Sequence, residues 1–183
     1  MAEQPFDPAV MLAALHDAKV RFVLIGGMAA VLHGDVGVTL DIDIAPANDA
    51  DNLNCLAAAL RALDARIRTD DTPQGLPFDC SAGFLRNLGP DAILNLTTQA
   101  GALDVSFTPA GTGGYADLRR DAVAMDAADG VTILVASLAD VIRSKSAADR
   151  EKDRRALPRL QELLERTSAD RSERVRRSGP RTS

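Results

Sequence analysis

Aromatic side chains are nearly missing from this chain of 183 residues, which has no Trp, one Tyr and five Phe. A core made without them must rest on Leu, Ile, Val and Ala. Cysteine is as scarce: Cys55 and Cys80 have no C-x-x-C spacing and no neighbouring His pair. That excludes a zinc ribbon or a dense disulfide scaffold. It fits two free thiols in a reducing cytoplasm, with a single disulfide as the alternative. No apolar run reaches the roughly 18 residues that a membrane span needs. The N-terminal MAEQPFDPAV has neither the basic region nor the apolar core of a secretory signal. The expectation is a cytoplasmic protein with no membrane contact and one well-cored domain.

The net charge of −5 hides an uneven distribution. Residues 1–142 carry 8 Lys/Arg and 19 Asp/Glu, whereas residues 143–183 carry 13 and 7. The basic end is mostly Arg and nearly free of aromatics. Phosphate contact with RNA is open to it, and base stacking is not. A solvated tail explains the same composition, since TSADRSERVRRSGPRTS has almost nothing apolar to bury.

Along the chain, Asp7 and Pro8 start a helix whose apolar face is Val10, Leu12 and Leu15. RFVLIGG reads as a short buried strand ending at Gly26-Gly27, GMAAVLHG as a helix closed by Gly34, and VTLDIDIA as the next strand. Asp49 caps a helix carrying Leu53, Leu56, Leu60 and Leu63. Residues 69–82 read as a loop. AILNLTT and ALDVSFT form one predicted hairpin, and a second turns at Asp129-Gly130. Ser137 and Asp140 form a capping box that opens a helical segment, with an interruption expected near Pro158. The fold class is therefore α+β: a mixed sheet with flanking helices and a helical C-terminal segment. The expected organisation is a core at 1–136, C-terminal helices packed on it at 137–165, and a disordered basic tail at 166–183.

Within TLDIDIA, Asp41 and Asp43 alternate with Leu40, Ile42 and Ile44. Strand geometry puts the two acids on one face and the aliphatic residues on the other. Adjacent carboxylates roughly 7 Å apart along a strand repel unless a cation lies between them. Oxygen-only ligands of this kind suit Mg²⁺, with Mn²⁺ as the alternative ion. A solvated edge strand would account for the same pattern. Gly26-Gly27, between strand and helix, would let a phosphate approach bare backbone. A tight turn would also need glycine there. Asp104 is a third acid inside a strand, in GALDVSF. If that strand adjoins TLDIDIA, three acids converge, able to hold two metals or to hold one while the third activates a hydroxyl.

Taken in order, IGGMAAVLHG, TLDIDI and LDVSF resemble the polymerase-β-type nucleotidyltransferase superfamily. LADVIRSKSAADREKD is similar to the segment of AbiEii-like toxin nucleotidyltransferases in which a helix Lys precedes an R-x-K-D motif. The resemblance implies a nucleotidyltransferase-like sheet that moves an NMP from a Mg-NTP to an acceptor hydroxyl on tRNA, another RNA, a protein or a small molecule. A role in a toxin–antitoxin pair, with an antitoxin partner, would follow. It implies Asp41, Asp43 and Asp104 as metal-binding catalytic acids. It puts Gly26 and Gly27 at the phosphates, Lys145 on the nucleotide phosphates, and Asp153 orienting Lys145 or another site group. Gly37 stands where such relatives usually have Arg, and Ala156 where they usually have a second acid. Those departures keep open a non-catalytic module of the same fold that binds a nucleotide or a partner.

Overall fold

The computed structural model describes residues 6–127 and 130–177. Its centre is a seven-stranded mixed sheet in the order β3-β4-β5-β2-β1-β7-β6. The strands are β1 (Phe22–Ile25), β2 (Asp41–Pro46), β3 (Arg66–Ile67), β4 (Ile93–Thr98), β5 (Gly101–Ser106), β6 (Val123–Asp126) and β7 (Thr132–Val135). The helices are α1 (Pro8–Asp17), α2 (Gly26–Leu32), α3 (Ala50–Ala62), α4 (Ala82–Arg86), α5 (Tyr115–Leu118), α6 (Leu138–Ala148) and α7 (Glu151–Arg177). The α+β class holds.

Two parallel pairings, β2 with β5 and β1 with β7, are flanked by antiparallel ones. β1 and β2 are antiparallel neighbours joined through α2, so the chain returns beside itself after one short helix. The core is aliphatic, as the composition requires: Leu24, Ile42, Ile44, Leu56, Leu60, Leu96 and Leu103 are all fully buried. Burial of each such side chain is worth about 1.5–3 kcal/mol.

Local signals explain four of the helix starts. Asp7 accepts from the Val10 amide at 3.1 Å, Asp49 from Asn52 at 3.2 Å, and Ser81 from Phe84 at 3.1 Å. Ser137 Oγ accepts from the Asp140 amide and donates to Asp140 Oδ2, so the predicted pair does cap α6, through the hydroxyl rather than the Ser137 amide. Cys55 and Cys80 are free. His33 makes a structural link, with Nε2 2.8 Å from the Ala136 carbonyl at the end of β7.

Several elements differ from expectation. Met11 joins Leu12 and Leu15 in the core, while Val10 is exposed. β2 begins at Asp41 rather than Val38, leaving Val38 91% and Leu40 69% exposed. Pairing partners run out at that point, because β1 reaches only to Ile25 opposite Asp43 and β5 starts with Gly101, beside Ala102 opposite Asp41. The helical break falls at Asp149, in the left-handed region at φ 48°, and α7 runs unbroken through Pro158. A helix proline removes one backbone bond, but Leu160 and Leu163 are buried just beyond it and hold the helix on the core. α7 continues to Arg177, so the tail expected to be disordered from 166 is helical up to there. Once the packed turns have nucleated the helix, each further Ala, Glu or Arg extends it at little cost. Asp129 of the predicted second turn, and residues 178–183, lie outside the described residues.

Candidate functional site

The parallel register of β2 and β5 puts Asp43 directly opposite Asp104. Asp41 lies two residues before Asp43 and so shares its face. Carboxylate oxygens of Asp41, Asp43 and Asp104 all lie within 4.8 Å of one another, closer than the roughly 7 Å that separates alternate residues along a strand. They open into a cleft of about 930 Å³. Ile42, Ile44 and Leu103 point the other way into the core.

The glycines are explained first by the acids. Gly26 has φ +70°, and a Cβ there would come within 2.0 Å of Asp43 Oδ2. A Cβ on Gly27 would meet Thr39 Oγ1 at 2.6 Å. Thr39 in turn donates to Asp41 Oδ1 at 2.6 Å. The glycine pair makes room for the two β2 acids and for the hydroxyl that orients one of them. It lines the same cleft.

Burial, followed by the charges of Asp41 and Asp104, raises the Asp43 carboxyl to about 7, although Lys152 and Lys145 pull it down. Burial also raises Asp104, opposed by Arg68. Arg68 Nη2 donates to Asp104 Oδ1 at 2.7 Å. Oxygen-only donors, three converging acids and a proton retained to near neutrality fit a hard divalent cation such as Mg²⁺ or Mn²⁺.

A pH dependence follows. Unfolded, Asp43 ionises near its ordinary 3.8, and folded it keeps its proton to about 7. The native state therefore binds the extra proton between these values. This group's contribution to stability without a cation falls as pH rises from about 4 to about 7, then stays level. At pH 8 without divalent ions, Asp43→Asn is expected to be more stable than the wild type by about 1–3 kcal/mol. Mn²⁺ affinity of the wild type should rise with pH up to about 7 and then level off. Urea unfolding and Mn²⁺ titration across pH 5–9 check both.

The opposite wall comes from α6 and α7. Lys145 Nζ is 3.0 Å from Asp153 Oδ1, and Arg150 Nε is 2.8 Å from Asp153 Oδ2. The Asp153 side chain is fully buried. Burial works against its ionisation, and the hydrogen bonds and charges of Arg150 and Lys145 outweigh it, leaving its carboxyl below the ordinary range. Asp153→Ala would leave the largely buried Lys145 without its partner, while the exposed Arg150 turns to water, and is expected to cost about 3 kcal/mol in urea unfolding. Asp153→Asn should cost less.

Every residue singled out in the sequence thus borders one cleft or supports a residue that does. Gly26, Gly27, Asp41, Asp43, Asp104 and Lys145 line it, and Asp153 holds Lys145 from behind. Sequence reasoning missed Thr39, Arg68 and the Asp35–Arg159 ion pair. Arg68 gave no signal, because β3 is two residues long. Arg159 had a faint one, lying seven residues after Lys152 and so on the same helical face. Neither protein-family models nor curated proteins give a match to this chain.

Proposed function

We propose that the cleft moves a nucleoside monophosphate from a Mg-NTP to an acceptor hydroxyl, within the nucleotidyltransferase-like architecture that the motifs suggest. The observation that carries this reading is the meeting of Asp41, Asp43 and Asp104 across two parallel strands, facing a cationic helix wall. Asp41 and Asp43 would hold the divalent ion. When bound, that ion neutralises phosphate charge and favours attack at phosphorus. Asp104 either adds a ligand or accepts the acceptor's proton. Arg68 occupies its Oδ1 and leaves Oδ2 for that task.

In the transfer step the acceptor oxygen forms a bond to the α-phosphorus in line with the α–β bridging oxygen. That bridging bond breaks, pyrophosphate leaves with the electron pair, and the hydroxyl proton passes to Asp104. Lys145, fixed by Asp153, steadies charge on the departing phosphates. Gly26 and Gly27 border the same cleft, so their backbone would lie beside the phosphates. The acceptor class is RNA, tRNA included, a protein side chain or a small hydroxyl compound. An antitoxin partner would suit a toxin–antitoxin role in the cytoplasm.

Incubation with Mg²⁺ and each of four α-labelled NTPs, with and without total RNA, tests the reading. Label on an acceptor, lost in Asp41→Asn, is the expected result, and no labelled product under any condition overturns it. Arg68 already paired to Asp104, together with the absent side chain at Gly37, favours a second reading: a non-catalytic module that binds nucleotide or a partner. Nucleotide binding without transfer would support that one.

A further inference from the structure

Arg159 lies on the wall of the cleft. It reaches across 124 residues to Asp35, with Nε 2.5 Å from Oδ1 and Nη2 3.0 Å from Oδ2. The Arg159 side chain is 43% exposed and that of Asp35 only 6%. The nearly buried Asp35 carboxylate is fixed in place, and its two-point contact holds the half-exposed guanidinium in one orientation. Asp35 is committed further through the backbone amides of Gly37 and Val36.

The backbone of residue 37 runs directly beneath the ion pair, and any side chain there would displace it. A Cβ on Gly37 would stand 2.9 Å from Arg159 Nη2 and 2.7 Å from Asp35 Oδ2. The guanidinium therefore lies across bare backbone, and Gly37, Asp35 and Arg159 all border the cleft. The ion pair engages Nε and Nη2, leaving Nη1 outside that fork. Lys152, Ala156 and Arg159 follow the helical repeat along the α7 face that lines the cleft. Lys152 is near enough to the acids to lower the carboxyls of Asp43 and Asp104. Seven residues of helix carry Arg159 about 10 Å further along the axis. An anionic tail that begins at the acids and follows these cations ends at Arg159.

We propose that Arg159 binds the terminal phosphate of a nucleoside triphosphate through Nη1, with Asp35 as its positioning residue, so that the site distinguishes NTP from NDP. This rests on the nucleotide reading of the cleft. A guanidinium held by a carboxylate on one edge presents its other edge to phosphate in a fixed plane.

The test is equilibrium binding of the full chain to α,β-methylene NTPs and to the corresponding NDPs, with Mg²⁺, by calorimetry. Arg159→Gln is expected to weaken NTP binding about tenfold, the loss of roughly one charge-assisted hydrogen bond. NDP binding should change less than about twofold. Because Arg159→Gln leaves the buried Asp35 unpaired, the double variant Asp35→Asn/Arg159→Gln is measured beside it. A neutral amide pair can keep the hydrogen bond and the fold, and the same collapse of the NTP-to-NDP ratio is expected. An unchanged ratio in the folded double variant overturns the role of Arg159 while leaving the nucleotide site standing. Failure of the wild type to bind any of these nucleotides overturns both.

Discussion

Replacing Asp41 or Asp43 by Asn is expected to abolish Mn²⁺ binding in the micromolar range and to lower any NMP transfer on the order of 10³-fold. The reason is electrostatic rather than steric. Asn keeps the volume and one acceptor oxygen but removes a unit of charge from a place where three carboxylates crowd within 4.8 Å. The fold should survive both changes. Asp43→Asn should relieve repulsion, because burial and the neighbouring acids hold the Asp43 carboxyl in its protonated form to about 7. Loss of binding with undiminished stability would separate a functional acid from a structural one. Wild-type Mn²⁺ affinity and transfer in both variants would reject the site.

Gly26→Ala should be nearly as damaging without touching a charge. Alanine at φ +70° is strained, and its Cβ would lie 2.0 Å from Asp43 Oδ2. Asp43 must therefore leave its position or the α2 start must shift, at an expected cost of about 2–4 kcal/mol. Ion affinity should fall almost as far as in Asp43→Asn, although every carboxylate remains. Gly27→Ala is the control. Its Cβ meets only the Thr39 side chain, at 2.6 Å, and that residue lies on an unpaired segment able to yield. Its effect on ion affinity should be much smaller. Equal behaviour of the two alanine variants in Mn²⁺ titration and urea unfolding would show that the close approach of Asp43 to Gly26 does not matter.

The acids were legible in the sequence because a carboxylate inside an apolar strand violates the pattern that a buried sheet needs. Asp41, Asp43 and Asp104 each interrupt such a run. What the sequence left open was whether β2 and β5 are neighbours, since register is a tertiary property. The structure answers this with Asp43 opposite Asp104. Helix caps were legible for the opposite reason, being local: Asp7, Asp49 and Ser137 act within three residues.

The parts that were not legible depend on distant partners. Val38 and Leu40 satisfy strand periodicity, yet no neighbouring strand extends far enough to pair with them. Pro158 carries the usual signal for a helix break, but the burial of Leu160 and Leu163 outweighs one lost hydrogen bond. Arg68 and Arg159 meet their partners across 36 and 124 residues. Nothing in the local pattern marks an arginine for a contact at that range.

A Mn²⁺-soaked crystal measured at the manganese absorption edge asks most directly whether these strands were shaped to share a cation. An anomalous peak coordinated jointly by the β2 carboxylates, with the β5 carboxylate beside it, is the expected outcome. At saturating ion, density that is absent there, or found only elsewhere on the chain, would contradict the account.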